Sequence, residues 1–224
     1  MEYKEIICLA NSIKINGRCI AGKDTTDHDW IRPVSESYTG ELSKEQIIDA
    51  DGKEPDLLDI LRIPIKSRSP KYYQPENATV GSEKWQKKGR FREEDLDGIC
   101  DKTPLLWDNS HPDNNRISLG HIKSCHSMSS LLLVRVNQIS IARANYQEKK
   151  KYRASFNYEG IEYDLPVTDP KIRKEFENAP PGKYPLKARK FFLCISLTEP
   201  FQNLDSSEEA CCYKLVASII RTNK

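Results

Sequence analysis

From residue 131 onward, apolar residues recur at every second position, the period of strands with one buried face. Leu132, Val134 and Val136 share one parity, while Ile139 and Ile141 share the other. A long strand over 131–143 must therefore change its buried face midway, which implies a bulge or bend. Tyr152, Ala154, Phe156 and Tyr158 alternate with Arg153, Ser155 and Asn157, and Glu159-Gly160 makes a hairpin turn into Ile161, Tyr163, Leu165 and Val167. Thr168-Asp169-Pro170 opens a helix: Thr168 or Asp169 caps it, Pro170 fits the first turn, and Pro180-Pro181 stops it. A strand over 191–197 and a terminal strand running through Tyr213, Leu215, Ala217 and Ile219 complete the half.

That order, a long bent strand, a hairpin pair, one helix and two more strands, is the connectivity of a five-stranded Greek-key barrel of the OB type. The first strand of such a barrel belongs to both sheets, and a change of parity lets it turn the corner with its apolar atoms inside. The first half has the same grammar. Strands are expected over Ile6–Ala10, Arg18–Gly22, Trp30–Val34 and Leu57–Ile65, with a hairpin turn at Asn16-Gly17 and a capping box, Ser43 to Gln46, opening a short helix. The pattern does not assign its fifth strand: 71–81 is a candidate, but Pro75 argues against a central position. The predicted fold is mostly β with short helices: two OB-like five-stranded Greek-key barrels, over 1–92 and 128–224. Between them, 93–127 is rich in Asp, Asn, Ser and His and reads as a linker with a docking anchor at Trp107.

At 224 residues, either one elaborated domain or two small ones is affordable. Hydrophobic residues make up only 38%, which calls for long polar loops or a wide functional surface. The charged opening, Met1 to Glu5, does not suit a signal peptide, and seven cysteines without a C-x-x-C suit reduced thiols, so a cytoplasmic location without a membrane role is expected. A net charge of +2 conceals blocks of opposite sign. Residues 66–92 hold Lys66, Arg68, Lys71, Lys84, Lys87, Lys88, Arg90 and Arg92 against two acids, 41–59 is acidic, and 143–153 is basic. Such a surface can hold a polyanion on one side.

Several catalytic patterns fail on inspection. Gly17 to Lys23 has the glycines and lysine of a phosphate loop, but Asp24 stands where a hydroxyl for Mg²⁺ belongs. His121, Cys125 and His126, with Cys100 and His111 nearby in sequence, lack paired metal-ligand spacing, so neither metal nor cofactor is expected. Vicinal Cys211 and Cys212 read as strand residues packing on opposite faces. Asp169-Pro170-Lys171 has a nuclease-like acid-x-Lys spacing, but Pro170 favours a capped helix. No nucleophile, base and orienter are recognisable together, and the reading leans away from an enzyme.

Basic and aromatic residues on and beside strands remain, the combination by which small barrels stack bases and neutralise phosphate. The candidate nucleic-acid contacts are Asn11, Lys14, Arg18, Lys23, Trp30, Arg32, Arg68, Tyr72, Tyr73, Trp85, Lys87, Lys88, Arg90 and Arg153. The expected partner is single-stranded or structured DNA or RNA. The alternative is a protein-protein interaction module in which the acidic segment 41–59 and Trp107 hold a partner protein and nucleic acid has no role.

Cys8-Leu9-Ala10-Asn11-Ser12 with Lys14 and Gly17-Arg18-Cys19, followed by Trp30-Ile31-Arg32-Pro33-Val34-Ser35, resembles the opening of the bacterial dual OB-containing domain family. Gln74-x-Glu76-Asn77, Leu106-Trp107, Val167-Thr168-Asp169-Pro170 and Cys212 to Ala217 are similar to its later motifs. The resemblance implies two OB-like barrels and a nucleic-acid-binding role in prokaryotic defence or conflict systems, without established catalytic residues. It carries over Asn11, Lys14, Arg18 and Arg32 as polar groups not readily explained by a buried structural role.

Overall fold

A computed structural model describes residues 2–111, 114–125, 128–147, 149–202 and 209–223. The chain divides into two units, Met1–Ile99 and Cys100–Lys224. The first contains β1 (Glu2–Lys14), β2 (Gly17–Asp24), β3 (Trp30–Val34), α1 (Lys44–Ile47), β4 (Asp59–Arg68), β5 (Asn77–Val80), β6 (Gln86–Arg90) and a 3-10 helix (Glu93–Ile99). Five of these strands close on themselves in the order β1-β2-β3-β5-β4 and back to β1, and β6 is added along β4. Only the β3-β5 pair is parallel within this ring. β1 serves two partners: its first half pairs with β4 and its second with β2, and the register shifts between Cys8 and Ala10 where it turns between them. Gly22 sits opposite this shift because a Cβ there would lie 2.2 Å from the Ile7 carbonyl oxygen. Ile6, Cys8, Ile20, Leu61, Ile63 and Trp85 are among the side chains filling the barrel.

Two local expectations need adjustment. The hairpin turn lies one residue earlier than Asn16-Gly17: Lys14 pairs with Gly17, leaving Ile15-Asn16 as the two-residue loop, with Ile15 at φ +48°. Gly17 is required for a different reason, since a Cβ there would meet the Leu42 carbonyl oxygen at 2.5 Å. The fifth strand, β5, begins after Pro75, so the proline never has to donate to the ladder. The capping box at Ser43 forms, with the Ser43 amide donating to Gln46 Oε1 at 2.9 Å.

The second unit contains β7 (Arg116–Ser118), α2 (Leu119–Ser124), β8 (Leu131–Val136), β9 (Ile139–Tyr146), β10 (Lys149–Tyr158), β11 (Ile161–Pro166), α3 (Pro170–Glu175), β12 (Gly182–Pro185), β13 (Lys190–Leu197) and β14 (Cys211–Thr222). The bent strand is β8 and β9, broken at Asn137-Gln138 where the parity changes. Its halves join separate sheets, β11-β10-β9-β12 and β7-β14-β13-β8. The pairing order matches that of the first barrel, but the parallel join is reduced to a single bridge, Val167 to Val216, giving a half-barrel. Glu159 and Gly160 both take positive φ in the β10-β11 turn, as a tight hairpin requires.

Asp169 reinforces that join. One carboxylate oxygen caps α3 by accepting from the amides of Lys171 and Ile172, and the other accepts from the Ile219 amide of β14 at 2.9 Å. Burial pushes its carboxyl above the ordinary aspartate value, against backbone donors that favour the charged form.

Segment 93–127 is shared between the units: the 3-10 helix belongs to the first, while residues from 100 onward build the second. Residues 103–109 pack beside the weak join. Leu106 enters the core, its amide and Asn109 Nδ2 donate to the Tyr163 hydroxyl, and the Tyr158 hydroxyl donates to the Thr103 carbonyl at 2.5 Å. Trp107 packs against the same core and its indole N–H donates to the Ser129 carbonyl, so this side chain anchors its own unit.

Lys214 of β14 holds the segment from the other side. Its fully buried ammonium donates to the Asp108 carbonyl at 2.6 Å and to Asn109 Oδ1 at 2.8 Å, and lies 5.5 Å from the Tyr163 ring centroid. Burial pulls its pKa down to about 8. Between that value and the ordinary lysine range the unfolded chain binds the extra proton, so stability should rise with pH across this window. Urea titrations at successive pH values should show a gain of about 1–3 kcal/mol between pH 8 and 10 relative to Lys214→Met, which lacks the titrating group.

Candidate nucleic-acid interface

OB barrels bind oligonucleotides on the β2-β3 face and on the loops joining β1 to β2 and β4 to β5. Here Ile20 faces the core, which turns Cys19, Ala21 and Lys23 to the other side of the sheet with Trp30 and Arg32. That side is occupied by the protein itself. Lys23 is buried and its ammonium donates to the Ile99 carbonyl at 2.9 Å, with the Trp30 ring centroid 5.3 Å away. Arg32 is 4% exposed; its Nε and Nη2 donate to Glu76 Oε1 at 3.2 and 3.1 Å, and its Nη1 points to the Cys19 sulfur. Arg32 is therefore explained by a buried structural role after all. The pair stands where β3 meets β5, and the Arg32 amide also donates to the Glu76 carbonyl.

Asn11 and Arg18 are likewise committed within the first unit. Asn11 Nδ2 donates to the Pro55 carbonyl, and Arg18 pairs with Glu54 at 3.1 Å. The acidic segment thus supplies the counter-charge for this end of the hairpin. Trp85 is 1% exposed and belongs to the barrel core, so its ring cannot receive a base. Lys87 and Arg90 on β6 both neutralise the buried Asp59, at 2.7 and 3.5 Å, while Lys88 remains exposed. Charges along an exposed edge strand also protect it from pairing with another chain. Arg153, in the second unit, pairs with Asp164 across the β10-β11 hairpin.

The loops of the first unit present a different group. Loop 35–42 is tied to the β1-β2 turn by the Lys14 ammonium on the Thr39 carbonyl and by backbone bonds between Arg18 and Leu42, and to the end of β4 by the Lys66–Glu36 ion pair. β4 continues through Arg68 into a turn in which Lys71 and Gln74 exchange backbone bonds, with Tyr72 and Tyr73 at its tip. These contacts tie together loops that carry the exposed Ile15 (63%), Tyr38 (96%) and Tyr72 (54%) along with Lys14, Lys66, Arg68 and Lys71. Tyr72 and Tyr73 meet edge-to-face at 4.9 Å, and Lys71 lies 5.7 Å from the Tyr73 centroid. Arg68 is exposed and without a side-chain partner among the described residues. Ile15 adopts a left-handed conformation that β-branched residues rarely tolerate, a strain of the kind found at binding loops.

These loops gather Lys14, Arg68, Tyr72 and Tyr73 from the expected contacts. They leave out the β6 bases, because Asp59 and Arg68 lie nine residues apart on one strand, about 30 Å if fully extended. Tyr38 escaped the sequence reading; its only signal is an aromatic residue in the polar run Ser35 to Gly40.

Of the rejected patterns, Gly17 to Lys23 is strand rather than loop, and Asp169-Pro170-Lys171 is a capped helix start. His121 Nε2 and Cys125 Sγ approach to 3.6 Å, but among the described residues no three His, Cys, Asp or Glu side chains are disposed to hold a metal ion. His126 lies outside the described residues. Burial pushes the Cys212 thiol up to about 12, unsuited to a nucleophile. No helix among the described residues is long and apolar enough to cross a membrane.

A family model described as a dual OB-containing domain matches residues 4–219. No curated protein and no solved structure matches the chain.

Proposed function

This chain belongs to the dual OB-containing domain family, and from that premise we propose that it is a non-catalytic binder of single-stranded or structured nucleic acid, using the tied loops of its first unit as one binding strip. The supporting observation is the convergence of exposed Tyr38 and Tyr72 with Arg68, Lys14, Lys66 and Lys71 on loops tied together by Lys14–Thr39 and Lys66–Glu36. Tyrosine rings stack on bases of any identity, and the surrounding cations neutralise phosphates. The strip includes both loops that OB barrels use, while the β2-β3 face is covered, so contact at the loops is the reading that fits the burial of Lys23 and Arg32. A place in a prokaryotic defence system is consistent with this role and is proposed with it.

Fluorescence anisotropy with labelled single-stranded DNA and RNA tests the reading. Binding should weaken as salt rises, because phosphate contacts release counterions. Tyr38→Ala and Tyr72→Ala should each weaken binding by about 1–3 kcal/mol, and Arg68→Ala should reduce the salt slope by about 0.7. Absence of binding at low salt, or variants that bind like the parent protein, would overturn the proposal.

A further inference from the structure

β9 directs Ile139, Ile141 and Arg143 to the same buried side of its sheet, so a guanidinium occupies the third position of an aliphatic row. Arg143 is 8% exposed, and its Nε is sealed from solvent without a hydrogen-bond partner. No carboxylate among the described residues pairs with it. The Nη1 and Nη2 end of the fork is not sealed, so an anion can reach it from solvent, and the partnerless Nε favours such a partner.

Arg143 stands across from Tyr152 on β10 and from Gly182 on β12. Helix α3 brings a second guanidinium to this place, with Arg173 Cζ 5.4 Å from the Tyr152 ring centroid. Arg173 also has no carboxylate partner among the described residues. The acids nearest to it in sequence are committed elsewhere: Glu175 to Arg221 at 2.7 Å and Glu177 to Lys150 at 3.8 Å. Tyr152 thus neighbours both arginines, with Arg143 opposite it on the adjacent strand and Arg173 over its ring, while Glu175 and Glu177 are assigned to other bases.

We propose that Arg143 and Arg173 form a binding site for a phosphoryl oxyanion in the second unit. Guanidinium forks match phosphoryl oxygens in pairs, and a phosphate dianion carries the charge to balance two arginines, whereas a carboxylate carries one. The anion reaches the protein either as free phosphate or small phosphate monoesters, or as the terminal phosphate of a nucleic-acid strand. The site does not rest on the loop strip, and its first test needs no nucleic acid.

The urea midpoint of the full chain is measured in inorganic phosphate and in chloride at equal ionic strength. Phosphate should raise the midpoint of the parent protein. Arg143→Met should be at least as stable as the parent in chloride, having lost a partnerless buried Nε, and should not respond to phosphate. Arg173→Gln should keep its chloride stability while its half-saturating phosphate concentration rises about tenfold or more. This variant carries the test if Arg143→Met fails to fold. Anisotropy with 5′-phosphorylated and 5′-hydroxyl oligonucleotides then identifies the source. A preference for the phosphorylated end that Arg173→Gln abolishes points to strand termini; equal binding, alongside a midpoint response to nucleoside monophosphates, points to free phosphates. An unchanged midpoint in the parent protein, or an undiminished response in both variants, would overturn the site.

Discussion

Arg32→Ala should destabilise the first unit by about 3–5 kcal/mol, the usual consequence of removing one partner from a buried ion pair. The Glu76 carboxylate would then be left in the interior, where Arg32 now supplies two donors to a single oxygen. The location amplifies the loss, since residues 32 and 77 are paired where β3 meets β5 and closes the ring. The charge itself is dispensable. Arg32→Met combined with Glu76→Leu removes both ions and should recover most of the lost stability, because replacing a whole buried pair by apolar residues is often neutral or favourable. Urea denaturation of the two single variants and the double variant gives the coupling directly. A single variant as stable as the parent would contradict the burial and pairing described here. The experiment also separates folding from function: Arg32→Ala should impair any nucleic-acid binding only to the extent that the first unit unfolds.

Asp169→Ala should have a comparable effect on the second unit, about 2–4 kcal/mol, from the loss of a helix cap together with an orphaned buried amide on β14. Three backbone donors converge on this carboxylate, from Lys171, Ile172 and Ile219. The last spans 50 positions of sequence and reinforces a join that otherwise consists of one bridge. Asp169→Asn retains an acceptor for one side only and should fall between alanine and the parent. Unfolding monitored by circular dichroism orders the three proteins, and equal stability of the alanine variant and the parent would remove Asp169 from this role.

The second half of the chain is more legible than the first because its strands alternate cleanly. Tyr163 and Leu165 are buried and Glu162 and Asp164 exposed on β11, and the change of parity between Val136 and Ile139 marks the break that separates two sheets. The first half hides its fifth strand because β5 has only four residues and all are buried, Asn77 and Thr79 included, so no alternation exists to be read. β6 is written in polar residues and glycine, Gln86 to Arg90, and owes its conformation to the neighbouring β4. The candidate contacts divide along the same line. A base on a strand is ordinarily a surface residue, and nothing local to Trp30-Ile31-Arg32-Pro33 signals that Glu76, 44 positions later, will enclose the guanidinium. The exposure of Arg68 and Tyr72 is legible locally because a turn rich in charge and aromatics stays at the surface. Arg143 reads only as part of a basic run, since the strands that flank it, β10 and β12, come later in the sequence.

The stopper at residues 103–109 and its catch, Lys214, come from the two ends of the second unit, 106 positions apart between the Asp108 carbonyl and the lysine. During synthesis, which proceeds from the N-terminus, Leu106 therefore emerges before the strands of its unit that will receive it, and the amine that fixes its neighbours follows about a hundred residues later. The bonds from Lys214 to Asp108 and Asn109 can form only once β14 has been made, so this fastening of the earlier segment waits for it.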